Sequence, residues 1–267
     1  PKINDDYTIE VVNALTDTGW KTLVYDREGT VSPKRLKYVP PILSQYDIRA
    51  SAIICYNERH AEVIKQSNTN GNIKADIHIN GNPYGDYWFD DKIGLTDQLF
   101  QTHEKQRKIL YFSFGIKNYI HHYYDDDPEF DSYSWKDMLT EIHDVFFNYF
   151  SNSNDILIYK YGHKTARDHF EGSKKLRDLN NVHTCQDNYD ANQLIKESDL
   201  IIGFQTTALL EALYTDKPII YPSWGNTHEK IKDTMIEFHH LGKTKGIHHA
   251  DSRYLFDKLL KDESIVN

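Results

Sequence analysis

The chain is poor in sulfur. It has two cysteines and two methionines among 267 residues. Cys55 and Cys185 stand far apart and form no CxxC pair, which argues against a thiolate zinc site and against a disulfide-stapled scaffold. Basic charge is also scarce: 31 Lys and Arg stand against 40 Asp and Glu, a net charge of −9. A nucleic-acid binder ordinarily carries a basic footprint, so no nucleic-acid partner is expected. No apolar run approaches the ~20 residues that a membrane-spanning helix needs. No signal-peptide pattern is visible. A reducing cytoplasm is the expected location, with peripheral association at the inner face of the membrane as an open alternative. The chain begins at Pro1 rather than Met, and a fragment is therefore expected.

What is present is ordinary globular material. Hydrophobic residues make up 39% and charged residues 27%, enough apolar side chain for a sizeable core. The 19 tyrosines suggest amphipathic or stacking surfaces. Short apolar runs alternate with helical spacing. A helix is predicted over Asp6–Leu15 and strands over Thr22–Tyr25 and Ala52–Tyr56. A helix over Glu58–Gln66 follows, then a strand over Asp76–Ile79. Pro40 and Pro41 predict that any helix in "SPKRLKYVPPIL" stops by Val39. Helical content is predicted from Ile93 to Arg107. Beyond it come strands at Lys108–Phe112, Ile156–Lys160, within "NNVHTC", at Leu200–Ile202 and at Pro218–Tyr221. Helices between them are predicted at Trp135–Phe150, Asn192–Glu197 and Ala208–Tyr214, with a last one at Ser252–Leu260. This β-α alternation predicts an α/β protein with parallel sheets. Its expected domains are 1–85, an abbreviated N-terminal one; 86–107, a linker; and 108–267, a doubly wound C-terminal one.

In open parallel sheets, ligands collect at the carboxyl ends of strands. The polar residues at those ends are therefore the candidates. Gly203 to Thr207 open a helix, whose free amides and positive dipole end suit phosphate. Thr206 or Thr207 adds a hydroxyl, and the plain alternative is a threonine N-cap. Glu211 lies one turn on, among Ala208, Leu209, Leu210, Ala212 and Leu213. It is either on the helix's solvent side or a buried carboxylate that needs a partner such as a ribose diol. Lys160 and His163 follow a core strand and suit a diphosphate, or are structural. Asp26 and Glu28 close the first strand, as a base or nucleophile or simply as a charged turn. The acidic loop at Asp125 reads as solvated. Adjacent histidines in "FHHLG" and "GIHHA" point to different faces, so no metal is expected.

The ordered set "YDREG", "INGNPYGD", "KILYFSFG", "ILIYKYGHKTA" and "SDLIIGFQTTALLEALYTDKPIIYPSW" resembles bacterial surface-carbohydrate glycosyltransferases of the GT-B fold. This is the group that includes capsule, lipopolysaccharide, Kdo and CDP-glycerol transferases. The resemblance covers roughly residues 20 to 240, and its last motif is the most specific. Tyr84 stands where the group has Arg, Lys164 where it has Pro, and Thr206 or Thr207 where it has Ser. The resemblance implies two Rossmann-like domains, the first of them abbreviated, with upstream strands expected. It implies a nucleotide-activated sugar donor, CMP- or CDP-linked as readily as UDP-linked. Ser113, Gly115, Lys160, Gln205, Thr206, Thr207 and Glu211 would hold that donor. Asp26, Glu28 and His163 would be catalytic, with no cofactor beyond the nucleotide-sugar co-substrate. The acceptor would be a glycan or lipid-linked glycan of surface-polysaccharide assembly. A UDP-sugar 2-epimerase on the same fold and a non-catalytic carbohydrate-binding module are the alternatives.

Overall fold

Leu200, Ile201 and Ile202 are fully buried in the strand Leu200–Gly203. So are Ile109, Leu110 and Tyr111 in Lys108–Phe112. Strands covered on both faces carry continuous apolar runs instead of alternation, which is the mark of a parallel sheet between helices. The computed structural model describes residues 6–25, 35–81, 106–117, 129, 132–161, 173–185, 190–232, 235 and 246–265. The chain divides into two compact units, Pro1–Tyr87 and Trp88–Asn267.

The first unit holds α1 (Asp6–Asp17), β1 (Leu23–Tyr25), α2 (Arg35–Leu43), β2 (Ala52–Cys55), α3 (Glu58–Ser67) and β3 (Asp76–Ile79). The three strands form a parallel sheet in the order β1-β2-β3. Its core gathers Ile9, Val24, Leu43, Ile53, Cys55, Ala61 and Ile64. Asn57 starts α3 from an extended conformation, its side chain accepting the His60 N–H, an N-cap worth about 1 kcal/mol. One expectation fails here. Helix α2 runs through Pro40 and Pro41 to Leu43 instead of stopping by Val39. Two prolines remove two helical donors, at a cost of about 3 kcal/mol or more each in a helix interior. The opposing contributions are Leu43, which is fully buried, and the packing of α2 on α3. The carbonyls of the proline pair are also satisfied: Ser44 N–H donates to Pro40, and Ser44 Oγ to Pro41.

The second unit holds β4 (Lys108–Phe112), α4 (Lys136–Phe150), β5 (Ile156–Lys160), α5 (Lys174–Arg177), β6 (Val182–Cys185) and α6 (Ala191–Glu197). It continues with β7 (Leu200–Gly203), α7 (Ala208–Ala212), β8 (Ile219–Pro222), α8 (Asn226–Ile231), β9 (Ile247–Ala250) and α9 (Arg253–Lys261). Its six strands are all parallel, in the order β6-β5-β4-β7-β8-β9. On α4, Met138, Leu139, Ile142, Val145, Phe146 and Phe150 are buried at the predicted three- and four-residue steps, giving one apolar stripe against the sheet. Ser252 caps α9 by accepting the Leu255 N–H at 3.3 Å.

Most predicted elements form, with ends shifted by a residue or two. Helix α7 is shorter than expected, ending at Ala212 instead of Tyr214. Strand β9 and helices α5 and α8 were not expected. "GIHHA" has a polar centre that hides its pairing with β8. The helix expected over Ile93–Arg107 lies outside the described residues, except for Gln106 and Arg107, which are not helical. Among the described residues, no helix is long and apolar enough to cross a membrane.

Candidate functional site

The strand order decides where the second unit can hold a ligand. The chain lays β4 down first, steps outward to β5 and β6, then returns to place β7 on the other side of β4. Connections therefore leave β4 and β7 in opposite directions, which opens a crevice beyond their carboxyl ends. The register brings those ends level. Phe112 pairs with both Lys160 and Gly203, and Lys160 pairs with Cys185. The turns that follow β4 and β7 touch, with the Phe114 and Phe204 rings 4.7 Å apart.

Gly203 ends β7 because the helix comes too close for a side chain. A β-carbon there would lie 3.1 Å from Leu209 Cδ2 and 3.4 Å from Phe112 Cβ. Gln205 follows with a φ of 47°, the one positive φ on a non-glycine residue among the described residues. That conformation costs a residue with a β-carbon about 1–2 kcal/mol. Its carboxamide is turned into the protein, where Nε2 donates to Tyr221 Oη at 2.7 Å.

The expected threonine cap takes a different form. Thr207 stands at the N-cap position of α7 in a helical conformation and makes no side-chain cap bond. Thr206 Oγ1 instead accepts the Ala208 N–H at 3.3 Å. The Thr206 and Thr207 N–H groups donate to no protein acceptor among the described residues. Both residues are partly exposed. Two amide donors are thus left for an outside acceptor.

Glu211 sits one turn into α7 and is half-buried. Burial, with the Asp190 charge adding to it, pushes its carboxyl above the ordinary glutamate range. No hydrogen bond or ion pair to this carboxylate exists among the described residues. A carboxylate that loses water and gains no partner is destabilised, so the group is disposed to take a donor from a ligand. Asp190 was not among the expected residues. It caps α6 by accepting the Asn192 N–H, and that opening of a helix after β6 was its only sequence signal.

Ser113 is buried, and both its N–H and its hydroxyl donate to the Lys160 carbonyl at 2.9 Å. This ties the β4 and β5 ends together. Gly115 is buried in the same turn. Lys160 stands partly exposed at the end of β5. Of the expected site residues, Ser113, Gly115, Lys160, Gln205, Thr206, Thr207 and Glu211 all lie at this edge of the second unit's sheet or in the helix that leaves it. Asp26, Glu28 and His163 fall outside the described residues. Among the described residues, no group of three or more His, Cys, Asp or Glu could hold a metal ion. His248 and His249 lie on β9, where His249 packs edge-on against Tyr221.

No protein-family model and no curated protein matches the chain. Solved structures do match its backbone. The UDP-GlcNAc 2-epimerase of Methanocaldococcus jannaschii, in complex with UDP-GlcNAc and UDP, superposes with a TM-score of 0.57 at 13% identity. That match covers 97% of this chain and 72% of the epimerase. The S. aureus MnaA–UDP co-structure gives a TM-score of 0.60 at 12% identity, covering 100% and 73%. A looser match, TM-score 0.46 at 10% identity, is to Anabaena Alr3699/HepE in complex with UDP and glucose, covering 96% and 66%. At these identities the likeness is one of fold. The chain is an α/β protein with parallel sheets of the GT-B-like kind, as expected from its sequence.

Proposed function

We propose that the second unit binds a nucleotide-activated sugar at the β4–β7 crevice, and that the chain transfers that sugar as a metal-independent glycosyltransferase. One observation carries the reading. At the reversal of strand order, two amides that donate to no acceptor among the described residues, of Thr206 and Thr207, are followed one turn later by a half-buried carboxylate that has no partner among those residues, Glu211. Phosphate oxygens need donors, and a ribose diol needs an acceptor for two hydroxyl protons. This edge offers both in the order in which a nucleoside diphosphate would use them. Lys160 would add a positive charge beside the phosphates.

Transfer then requires a base that takes the proton of an acceptor hydroxyl while its oxygen bonds to the anomeric carbon. The nucleotide leaves with the bonding electrons, and its growing charge falls on the phosphate donors. Asp26, Glu28 and His163 are the proposed catalytic groups. The proposed acceptor is a glycan or lipid-linked glycan, and a lipid-linked one would put the reaction at the inner face of a membrane.

A second reading is an epimerase that works on a UDP-sugar without an acceptor. The backbone matches at TM-scores of 0.57 and 0.60, to an epimerase and to a UDP-bound protein, favour it. Calorimetry with UDP, CDP and CMP tests the shared part of both readings, and lack of binding by all three would refute them together. Incubating the chain with UDP-GlcNAc alone then separates them. A change at C2 without acceptor supports the epimerase, and sugar release to an added glycan supports the transferase.

A further inference from the structure

The turn after β7 is held in a conformation that its sequence does not favour. Gln205 has a φ of 47°, where a β-carbon is strained and glycine is not. The residue is 1% exposed, so its side chain meets no ligand directly. Its carboxamide donates to the hydroxyl of Tyr221, itself 1% exposed, on the neighbouring strand β8. That hydroxyl is held in place by its surroundings. The Tyr221 ring lies against Phe204 at 5.5 Å and edge-on to His249 of β9 at 5.4 Å. Phe204 in turn packs on Phe114 and Trp135, each at 4.7 Å. The strained residue is thus tied to a fixed point in the core, and the two amides that find no acceptor among the described residues come immediately after it.

We propose that Tyr221 is a positioning residue for the donor phosphates. Its hydroxyl, acting through the Gln205 carboxamide, locks the β7–α7 turn in the shape that leaves the Thr206 and Thr207 N–H groups open to phosphate oxygens. Tyr221 is buried, so it acts on the phosphates only through Gln205. The inference rests on the nucleotide-sugar reading above and adds to it the device that keeps the site preformed. A preformed turn does not have to be ordered at the moment of binding, and that ordering would otherwise weaken affinity.

A double-mutant cycle tests it, with UDP and CDP as probes in calorimetry on the full chain. Y221F removes one hydroxyl and keeps the ring. It is expected to weaken nucleotide diphosphate binding about tenfold, the factor for one buried neutral hydrogen bond. Near-ultraviolet circular dichroism should show the packed core retained. In a Q205G background the turn reaches its φ without strain and has no carboxamide to anchor. There Y221F is expected to change affinity by less than about twofold. Q205A keeps the β-carbon and loses the carboxamide, so it should bind more weakly than Q205G. That comparison decides the matter if Y221F does not fold. Equal losses from Y221F in both backgrounds, or unchanged affinity in Y221F itself, would overturn the positioning role while leaving the nucleotide reading intact. Failure of the wild-type chain to bind UDP, CDP or CMP would overturn both.

Discussion

Replacing Glu211 with glutamine keeps the shape of the side chain and removes its charge. Two opposite effects are expected. On the bound side, a ribose diol can donate two hydroxyl protons to a carboxylate, whereas the amide of glutamine offers a single neutral acceptor oxygen. Hydrogen bonds to charged groups contribute about 1.5–3 kcal/mol and neutral ones about 1 kcal/mol. The expected loss is therefore about 2 kcal/mol, or about 30-fold in UDP affinity. On the free side, the folded protein raises the Glu211 pKa through burial first and the Asp190 charge second. The folded state then holds the proton more tightly than the unfolded chain does. Stability falls as pH rises from the ordinary glutamate range through the raised value, and the penalty is complete above it. Glu211→Gln removes that penalty. Without ligand, the variant should melt at or above the wild-type temperature at neutral pH, and the difference should vanish in acid. UDP binding by the wild type should weaken as pH falls through the raised pKa, and the variant should lose that part of the pH dependence. Calorimetry from about pH 5 to about pH 8, with melting curves of the free proteins, reads all of this. A variant that melts lower and binds UDP as tightly as the wild type would refute the reasoning, because Glu211 would then be a structural group.

Two further substitutions probe the frame. Gly203→Ala puts a methyl group 3.1 Å from Leu209 Cδ2 and 3.4 Å from Phe112 Cβ; chemical denaturation should show a loss of about 1–3 kcal/mol. Ser252→Ala removes the oxygen that accepts the Leu255 N–H; the same measurement should show a loss of about 1 kcal/mol, with nucleotide affinity unchanged.

Much of the fold was legible because the signals are local. The runs at Lys108–Phe112, Ile156–Lys160 and Leu200–Ile202 are too short for helices and too uniformly apolar for surface strands. The stripe on Lys136–Phe150 has helical period. What failed were places where packing outweighs local preference. Pro40 and Pro41 argue for a helix end, yet α2 continues to Leu43, which is fully buried. "GIHHA" reads as a histidine cluster, yet β8 offers it a partner and it becomes one of the two edge strands described in the second sheet.

The site divides in the same way. By itself the sequence determined which polar residues end strands, since a run of Leu and Ile followed by Gly-Phe-Gln-Thr-Thr can be read without a structure. It also determined that a lone acid lies one turn into an apolar helix, and hence that Glu211 needed an explanation. Only the tertiary structure decided that β7 lies beside β4, because strand order depends on contacts between residues about ninety positions apart (Ile109 with Leu200) and no local pattern encodes them. Only it showed that Gln205 turns inward to Tyr221, that Thr207 makes no cap bond, and that Asp190 adds its charge to Glu211. Hydrogen-bond partners and desolvation are properties of neighbours in space, and those neighbours exist only once the sheet has assembled.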